Sequence, residues 1–348
     1  MNTYSFGYDF GNSEICGVAV VNGRKIAKSI PTAISQESGT KLANIGIGMK
    51  SNHFIFRHEG QHADFFIGDL ALEQGKDIKN GYGDPGRYSS KNALRALLTL
   101  SSTMIDDDEF ALNVVTGIPV QAYTGRTENR AEITEALQGD HSFSVNKRKR
   151  TVHIRVERVI MEGAGAAIAY GSGTKELQGV IDIGGRTIDL YGSNGITPDL
   201  KYCHGCDIGV YTVTDAVKSS FEDLHGYPLP PHFLREMMYA CANRMPIPFA
   251  TARGKSVDMQ GMLNEAMEQA KDAIISFVRS KWRSSESDTV VATGFRYVTV
   301  VGGGAYYFFD LIKRDIPHST CPEFPEQANA YGYWKFAEQQ SRRLRDVA

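Results

Sequence analysis

No run of about 18 apolar residues occurs in the 348-residue chain, so no transmembrane helix is expected. The start, Met1-Asn2-Thr3-Tyr4, has neither the basic n-region nor the long apolar h-region of a signal peptide. Neither sign of charge is in excess: 38 basic and 40 acidic residues give a net charge of -2. That excludes a surface committed wholly to nucleic acid while permitting a local basic patch. Cysteine is scarce, with five residues, and without an export signal these are expected to stay reduced in a cytosol. Cys203 and Cys206 form a C-x-x-C, but no second pair accompanies it, so they read as two structural cysteines in a loop. Two common phosphate-binding signatures are missing as well. There is no G-x-x-x-x-G-K-[ST] and no G-x-G-x-x-G.

Glycine, by contrast, is abundant at 35 residues, and hydrophobic content of 42% is enough to build real cores. The length suggests two domains. The first thirty residues read as a β-meander: Thr3 to Asp9, Ile15 to Val21 and Lys25 to Ile30, with Asn22-Gly23 as a tight hairpin turn and Pro31 as the stop. Residues 32–90 are mixed and Gly-rich, with short runs at Phe54–Phe56 and Phe65–Ile67, and read as a small insert ending in a loop over Asn80–Pro85. A helix follows around Ala93–Leu98, then a strand Phe110–Thr116 and a helix Glu128–Leu137. Phe143–Val145 and Val152–Val156 alternate around Lys147-Arg148-Lys149-Arg150, which predicts a hairpin whose basic tip is solvated.

Glu162 opens an Ala- and Gly-rich helix running to Tyr170. Val180–Ile183 and Thr187–Tyr191 are strands, and Val210–Leu224 is helical. Residues 225–261, with prolines at 228, 230, 231, 246 and 248, read as an irregular insert. Met262–Trp282 is a long amphipathic helix, Val298–Val301 a buried strand, and the tail from Glu326 to Arg345 helical.

Two strand-turn-strand units share one form about half the chain apart: Asp9-Phe10-Gly11-Asn12 and Asp182-Ile183-Gly184-Gly185. This repetition reads as an internal duplication of a nucleotide-handling unit. A glycine just after a strand lets the backbone come close to a phosphate, whose oxygens successive N–H groups can cradle. The preceding carboxylate would be repelled by phosphate and must act through a cation. Mg²⁺ suits this, because it keeps several waters and takes few protein carboxylates. The third element is Val298–Ala305, a buried strand running into Gly302-Gly303-Gly304. Such a junction can present a flat backbone to a nucleoside, although a tight structural turn would use the same residues.

Order and spacing of these segments resemble the actin/Hsp70/hexokinase superfamily over essentially the whole chain. Phosphate 1 corresponds to Asp9-Phe10-Gly11-Asn12-Ser13, connect 1 to Glu162-Gly163-Ala164-Gly165-Ala166-Ala167, and phosphate 2 to Asp182-Ile183-Gly184-Gly185-Arg186-Thr187-Ile188-Asp189. The adenosine motif corresponds to Val301-Gly302-Gly303-Gly304-Ala305 and connect 2 to Ala328-Asn329-Ala330-Tyr331-Gly332. Within the superfamily, Val115–Val120, Phe66–Glu73 and Asp207–Thr214 resemble segments of ParM/StbA-type actin-like ATPases.

The resemblance implies an α/β fold of two RNase H-like domains with a nucleotide cleft between them. Domain I would be residues 1–180 with an insert at about 32–90, and domain II 181–322 with an insert at about 225–261. Residues 323–348 would form a C-terminal helix returning to domain I. It implies ATP or ADP with Mg²⁺ as ligands, the metal held through water by Asp9 and Asp182. Glu162 would position the attacking water. Gly11, Asn12, Ser13, Gly184, Gly185, Arg186, Thr187, Gly302, Gly303, Gly304 and Ala305 would contact nucleotide. The implied function is a cytoplasmic ATPase forming nucleotide-dependent filaments, used in plasmid or DNA segregation. Its partners would be other copies of itself and a DNA-binding adaptor, with no direct contact to membrane or nucleic acid. A small-molecule kinase or a non-polymerising ATP-binding scaffold of the same fold is the alternative. One departure stands out: the superfamily often places a lysine seven residues after the phosphate 1 aspartate, and here that position is Cys16. Arg186, in the phosphate 2 loop, has the reach and fork geometry to take over that contact, or else pairs with a carboxylate such as Asp189.

Overall fold

The structure is a computed structural model and describes residues 1–37, 50–79, 86–125, 128–171, 175–252, 254–283 and 291–347. The loop expected over Asn80–Pro85 lies outside the described residues. The chain divides into two compact units, residues 1–170 with 327–348, and residues 171–326.

Unit 1 is built on a nine-stranded sheet. Strands β1 (Asn2–Phe10), β2 (Glu14–Val21) and β3 (Arg24–Pro31) form the expected meander. Its β2–β3 turn is Asn22-Gly23, both at positive φ (51° and 74°), the backbone that a two-residue turn between right-twisted strands requires. The short strands β4 (Ile34–Gln36), β5 (His53–His58) and β6 (Phe65–Gly68) precede helix α1 (Asp69–Gln74). Helix α2 (Lys91–Met104) starts at Ser90, whose hydroxyl accepts from the Ala93 N–H and so satisfies one orphan donor of the first turn. Then come β7 (Glu109–Ile118), α3 (Val120–Gly125), α4 (Glu128–Leu137), β8 (Gly139–Val145), β9 (Arg148–Met161) and α5 (Ala164–Tyr170). The sheet order is β3-β2-β1-β7-β9-β8-β5-β6-β4, with β7 parallel to both β1 and β9.

Period-two alternation sorts β1 between two layers. Phe6, Tyr8 and Phe10 enter a core shared with Leu94, Leu97 and Leu98 of α2, where the Tyr8 hydroxyl donates to the Ala93 carbonyl at 2.8 Å. Gly7 lies on the opposite face, under the C-terminal helix Ala328–Val347. A Cβ on Gly7 would sit 2.0 Å from the Ala330 carbonyl oxygen, so this helix rests directly on the strand backbone.

In the basic run at the β8–β9 turn, Lys147, Arg148 and Lys149 are exposed as expected, and Arg150 is buried. Asn146 and Lys147 take the two positive-φ positions of the turn. Arg148 pairs with Asp106 and Asp108. Arg150 is buried and donates to the carbonyls of Ile105 and Asp107. Two of the four cations thus hold the loop that precedes β7.

Unit 2 repeats the plan. Its strands are β10 (Leu177–Ile183), β11 (Ile188–Asn194), β12 (Thr197–Pro198), β13 (His204–Cys206), the β14 (Ala250–Ala252) and β15 (Lys255–Val257) hairpin, β16 (Tyr297–Val301) and β17 (Ser319–Thr320). Its main sheet runs β12-β11-β10-β16-β17, antiparallel through the hairpin and then parallel, which is the pattern of β3-β2-β1-β7-β9. Helices α6 (Val210–His225), α7 (Pro231–Ala242), α8 (Gln260–Trp282) and α9 (Ala305–Asp315) pack a second core with Ile181, Ile183, Leu190, Val298 and Val300. Residues 225–261 are more regular than expected, because they contain the twelve-residue α7. Pro231 occupies the first helical turn, where the missing N–H costs nothing and the fixed φ suits a helix start. Pro228, Pro230 and Pro231 therefore introduce this helix and do not interrupt it. Among the described residues, no helix is long and apolar enough to cross a membrane.

Candidate functional site: two hairpin turns

In unit 1 the β1–β2 turn carries Gly11, Asn12 and Ser13, with Asp9 one residue before the end of β1 and directly across from Cys16. The carbonyls of this turn are tied back by neighbouring residues. Thr32, just after β3, donates its hydroxyl to the Gly11 carbonyl at 2.8 Å and its N–H to the Ser13 carbonyl at 2.9 Å. Arg87 donates to the Phe10 carbonyl and to Oδ1 of Asn12. The carbonyls of Phe10, Gly11 and Ser13 are thus engaged and do not face a ligand as open acceptors. Gly11 has to be glycine, since a Cβ would lie 2.6 Å from the Glu14 carbonyl oxygen.

Glu162 stands at the end of β9, and α5 begins two residues later than the sequence suggests, at Ala164. The cause is Gly163, whose φ of 83° makes a turn between strand and helix. The Glu162 N–H donates to the Ile118 carbonyl at 2.8 Å, and the Tyr88 hydroxyl lies 3.4 Å from its Oε1. Asn329 accepts from the N–H groups of Gly163 and Ala166 at 3.0 and 3.3 Å, capping α5 from the C-terminal helix. The two helices approach so closely that a Cβ on Gly332 would fall 1.7 Å from the Gly165 carbonyl oxygen.

In unit 2 the turn between β10 and β11 carries Gly184, Gly185, Arg186 and Thr187, and the Gly184 N–H closes it on the Thr187 carbonyl at 2.8 Å. Here too the carbonyls are occupied, but by backbone donors. Ile183 accepts from Gly304 at 2.8 Å, Gly184 from Val210 at 3.2 Å and Gly185 from Tyr211 at 2.8 Å. The last two donors belong to the first turn of α6, where helical N–H groups lack partners of their own. Gly209 must be glycine for this docking, since a Cβ would lie 2.6 Å from the Gly185 carbonyl. Asp182 is buried and lies across from the equally buried Asp189.

The three glycines after β16 divide by role. Gly302 sits at φ 81°, and a Cβ there would meet Oδ1 of Asp182 at 2.4 Å. A Cβ on Gly304 would meet Cγ2 of Ile183 at 2.3 Å. Both are glycine because the β16–α9 junction packs on the phosphate 2 strand, and Ala305 is buried in the same packing. Only Gly303 of the three has nothing within 4 Å of a Cβ position, which leaves it as the open surface of the junction.

Arg186 lies with its guanidinium 4.6 Å from the Tyr211 ring centroid and pairs with Asp215 at 3.3 Å, a carboxylate that the sequence does not single out. Cys16 is buried with Val18 and Ala330 beneath the C-terminal helix, its sulfur 3.1 Å from the Ser29 hydroxyl. Cys203 and Cys206 are free thiols. Burial pushes the Cys203 thiol up and Cys206 up to about 11, opposite to what a reactive or metal-binding thiolate needs. Among the described residues no group of three or more His, Cys, Asp or Glu could hold a metal ion. Asp9 and Asp182, the carboxylates expected to hold Mg²⁺, are hard oxygen ligands of the kind that ion takes, and it would complete its shell with water and phosphate oxygens.

Sequence reasoning missed Thr32, Arg87 and Tyr88. They belong to no motif and reach the site through long-range packing, and only their places at the two ends of the insert at 32–90 hint at a shared role.

Two family models match the chain in tandem: actin like proteins N terminal domain over residues 7–165, and archaeal actin homologue MreB-like, C-terminal, over residues 180–314. The chain belongs to the actin-like superfamily and has its two-domain fold. Among solved structures it is similar to a 15-stranded ParM filament from Clostridium botulinum, with TM-score 0.76, 19% identity and coverage of 97% of this chain and 100% of the other. It is similar to Ta0583, an archaeal actin homologue, with TM-score 0.75, 21% identity and coverage of 97% and 99%. It is also similar to apo psk41 ParM, with TM-score 0.71, 15% identity and coverage of 99% and 100%. No curated protein matches the chain by sequence.

Proposed function

We propose that the chain is an actin-like ATPase that binds ATP with Mg²⁺, assembles with copies of itself into filaments and loosens them on hydrolysis, serving plasmid or DNA segregation. The observation that carries this reading is the repeated hairpin turn. In each unit a carboxylate on the first strand precedes a glycine turn in which three successive or near-successive carbonyls already accept hydrogen bonds, which turns those acceptors away from a phosphate that the backbone of such a turn can cradle. Asp9 and Asp182 hold the metal through water, and Gly303 offers the open backbone to the nucleoside. Arg186 and Thr187 face the phosphates in this reading, with Arg186 exchanging Asp215 for a phosphate oxygen. Glu162 positions the attacking water, which is most of the protein's task in phosphoryl transfer. The similar archaeal protein was solved in complex with ADP, and the similar Clostridium botulinum protein as a filament, which supports the reading by analogy of fold. A cytoplasmic location and a DNA-binding adaptor belong to the same proposal.

Sedimentation with ATP, ADP or no nucleotide tests it. Polymer should pellet with ATP and disperse as ADP accumulates. Asp182→Ala should lose Mg²⁺-dependent hydrolysis. Glu162→Ala should bind ATP, hydrolyse it about 10²-fold more slowly or worse, and stay polymerised. A pellet that ignores nucleotide would refute the filament cycle, and Glu162→Ala turnover equal to wild type would remove that residue from the mechanism.

A further inference from the structure

We propose that Arg87 is the positioning cation of the phosphate 1 turn, holding its donors toward the nucleotide phosphates and supplying the positive charge that Cys16 does not. The proposal rests on the nucleotide-binding reading above. Arg87 is 4% exposed, in a one-turn 3₁₀ helix, Arg87–Ser89, ahead of α2. Among the described residues its hydrogen bonds go to two neutral oxygens, the Phe10 carbonyl and Oδ1 of Asn12, and Nε has no partner. The guanidinium lies against the rings of Phe10 and Tyr88, 4.9 and 4.7 Å from their centroids. Among the described residues no carboxylate forms an ion pair with it, and a cation that has given up water without gaining a counter-charge is costly unless an anion completes the site. The turn that it grips is the one whose N–H groups suit a phosphate.

The grip also fixes two orientations. Taking the Phe10 carbonyl turns that acceptor away from a phosphate that it would repel. Taking Oδ1 of Asn12 leaves the NH₂ end of that amide as the end a ligand can use. The neighbouring Tyr88 hydroxyl lies 3.4 Å from Oε1 of Glu162, so one short helix touches both the phosphate turn and the residue assigned to the attacking water. Among the described residues, Arg87 is the cation that unit 1 places against its phosphate turn, and Arg186, paired with Asp215, is the one in the phosphate 2 turn of unit 2.

The test is a set of binding isotherms for adenosine, ADP and ATP on the full chain, with wild type, Arg87→Gln, Arg87→Lys and Asn12→Ala. Arg87→Gln should weaken ADP and ATP about 10- to 100-fold, the range for losing a hydrogen bond to a charged group, and leave adenosine within about twofold. Arg87→Lys keeps the charge without the fork and should recover part of the loss. Asn12→Ala, at a less buried position, should reproduce part of the phosphate-dependent loss, and it still decides the matter if Arg87→Gln does not fold. Variants that weaken adenosine and ATP equally would reduce Arg87 to a structural role and overturn the proposal. So would variants that discriminate ATP from adenosine as wild type does. Wild type that binds no nucleotide at all would instead bring down the functional reading on which the proposal stands.

Discussion

The two glycine turns join their strands at the same spacing, and side chains do in one part of the holding that backbone does in the other. In unit 2 the carbonyls of Ile183, Gly184 and Gly185 accept from backbone N–H groups of Gly304, Val210 and Tyr211. In unit 1 the carbonyls of Phe10 and Gly11 accept from the side chains of Arg87 and Thr32. In unit 2 the first turn of α6 docks on the glycine turn directly, whereas in unit 1 α2 begins four residues after Arg87, and the 3₁₀ helix ahead of it reaches the turn through that side chain. The large insert between β3 and α2 accounts for the difference: a helix displaced from the turn needs a long side chain to reach it. The comparison teaches that a backbone-held loop is broken by adding atoms and a side-chain-held loop by removing them.

The largest expected effect breaks the backbone-held turn. Gly302→Ala adds a Cβ 2.4 Å from both the Asp182 carboxylate and the Ile183 carbonyl, at a φ of 81° that L-residues disfavour. Overpacking and backbone strain together should cost about 2–4 kcal/mol, read by chemical unfolding. Gly303→Ala, with nothing within 4 Å, is the matched control and should change stability by no more than about 0.5 kcal/mol. Equal destabilisation by the two would mean that the junction does not pack on the phosphate 2 strand as described.

Much of this division was legible beforehand. The meander, the Glu128–Leu137 helix, the long α8 and the glycine turns all follow from period, turn chemistry and repetition, because those signals are local. Even the duplication was visible, since Asp-x-Gly after a strand recurs at Asp9 and Asp182, and the sheet orders repeat with it. What could not be read was how each turn is held. Arg87 looks like any arginine near a Gly-rich loop, and Thr32 like any residue after a strand-ending proline. Gly302 reads equally as a nucleoside platform or a packing glycine until Asp182 is seen beneath it. The triple glycine was legible as a motif, but the split between Gly303 and its neighbours depends on a strand more than a hundred residues away.

A smaller effect follows from pH. Burial, with the nearby charge of Arg95 adding to it, pulls His58 on β5 of unit 1 down to about 4, its ring edge-on to Phe56. A histidine whose folded pKa is depressed below its unfolded value of about 6.5 contributes stability in the neutral form. That contribution is fully present above the unfolded pKa and is lost as pH falls from about 6.5 through about 4. For this half-buried ring the loss should be about 1–3 kcal/mol at the acid end. His58→Leu should flatten the acid limb of a plot of stability against pH and leave the neutral region close to wild type. An acid limb as steep as wild type would place the ionisation elsewhere.

The smallest effect is the sharpest check on how the turns are held. Thr32→Val keeps shape and volume and removes only the hydroxyl that donates to the Gly11 carbonyl at 2.8 Å. The Thr32 N–H stays bonded to the Ser13 carbonyl, so the turn is loosened at one point and not released. One neutral hydrogen bond should cost about 0.5–1.5 kcal/mol of stability. If the turn binds phosphate, ATP affinity should fall with it, by less than in Arg87→Gln because no charge is lost. The counterpart in unit 2 is Val210→Ala, which trims a side chain while keeping the N–H that serves the Gly184 carbonyl, and it should leave phosphate affinity unchanged. A Thr32→Val loss of affinity beside an unaffected Val210→Ala would show that side chains hold one turn and backbone the other. Equal loss in both would mean that the turns respond to general loosening of their units, and the distinction drawn between them would fall.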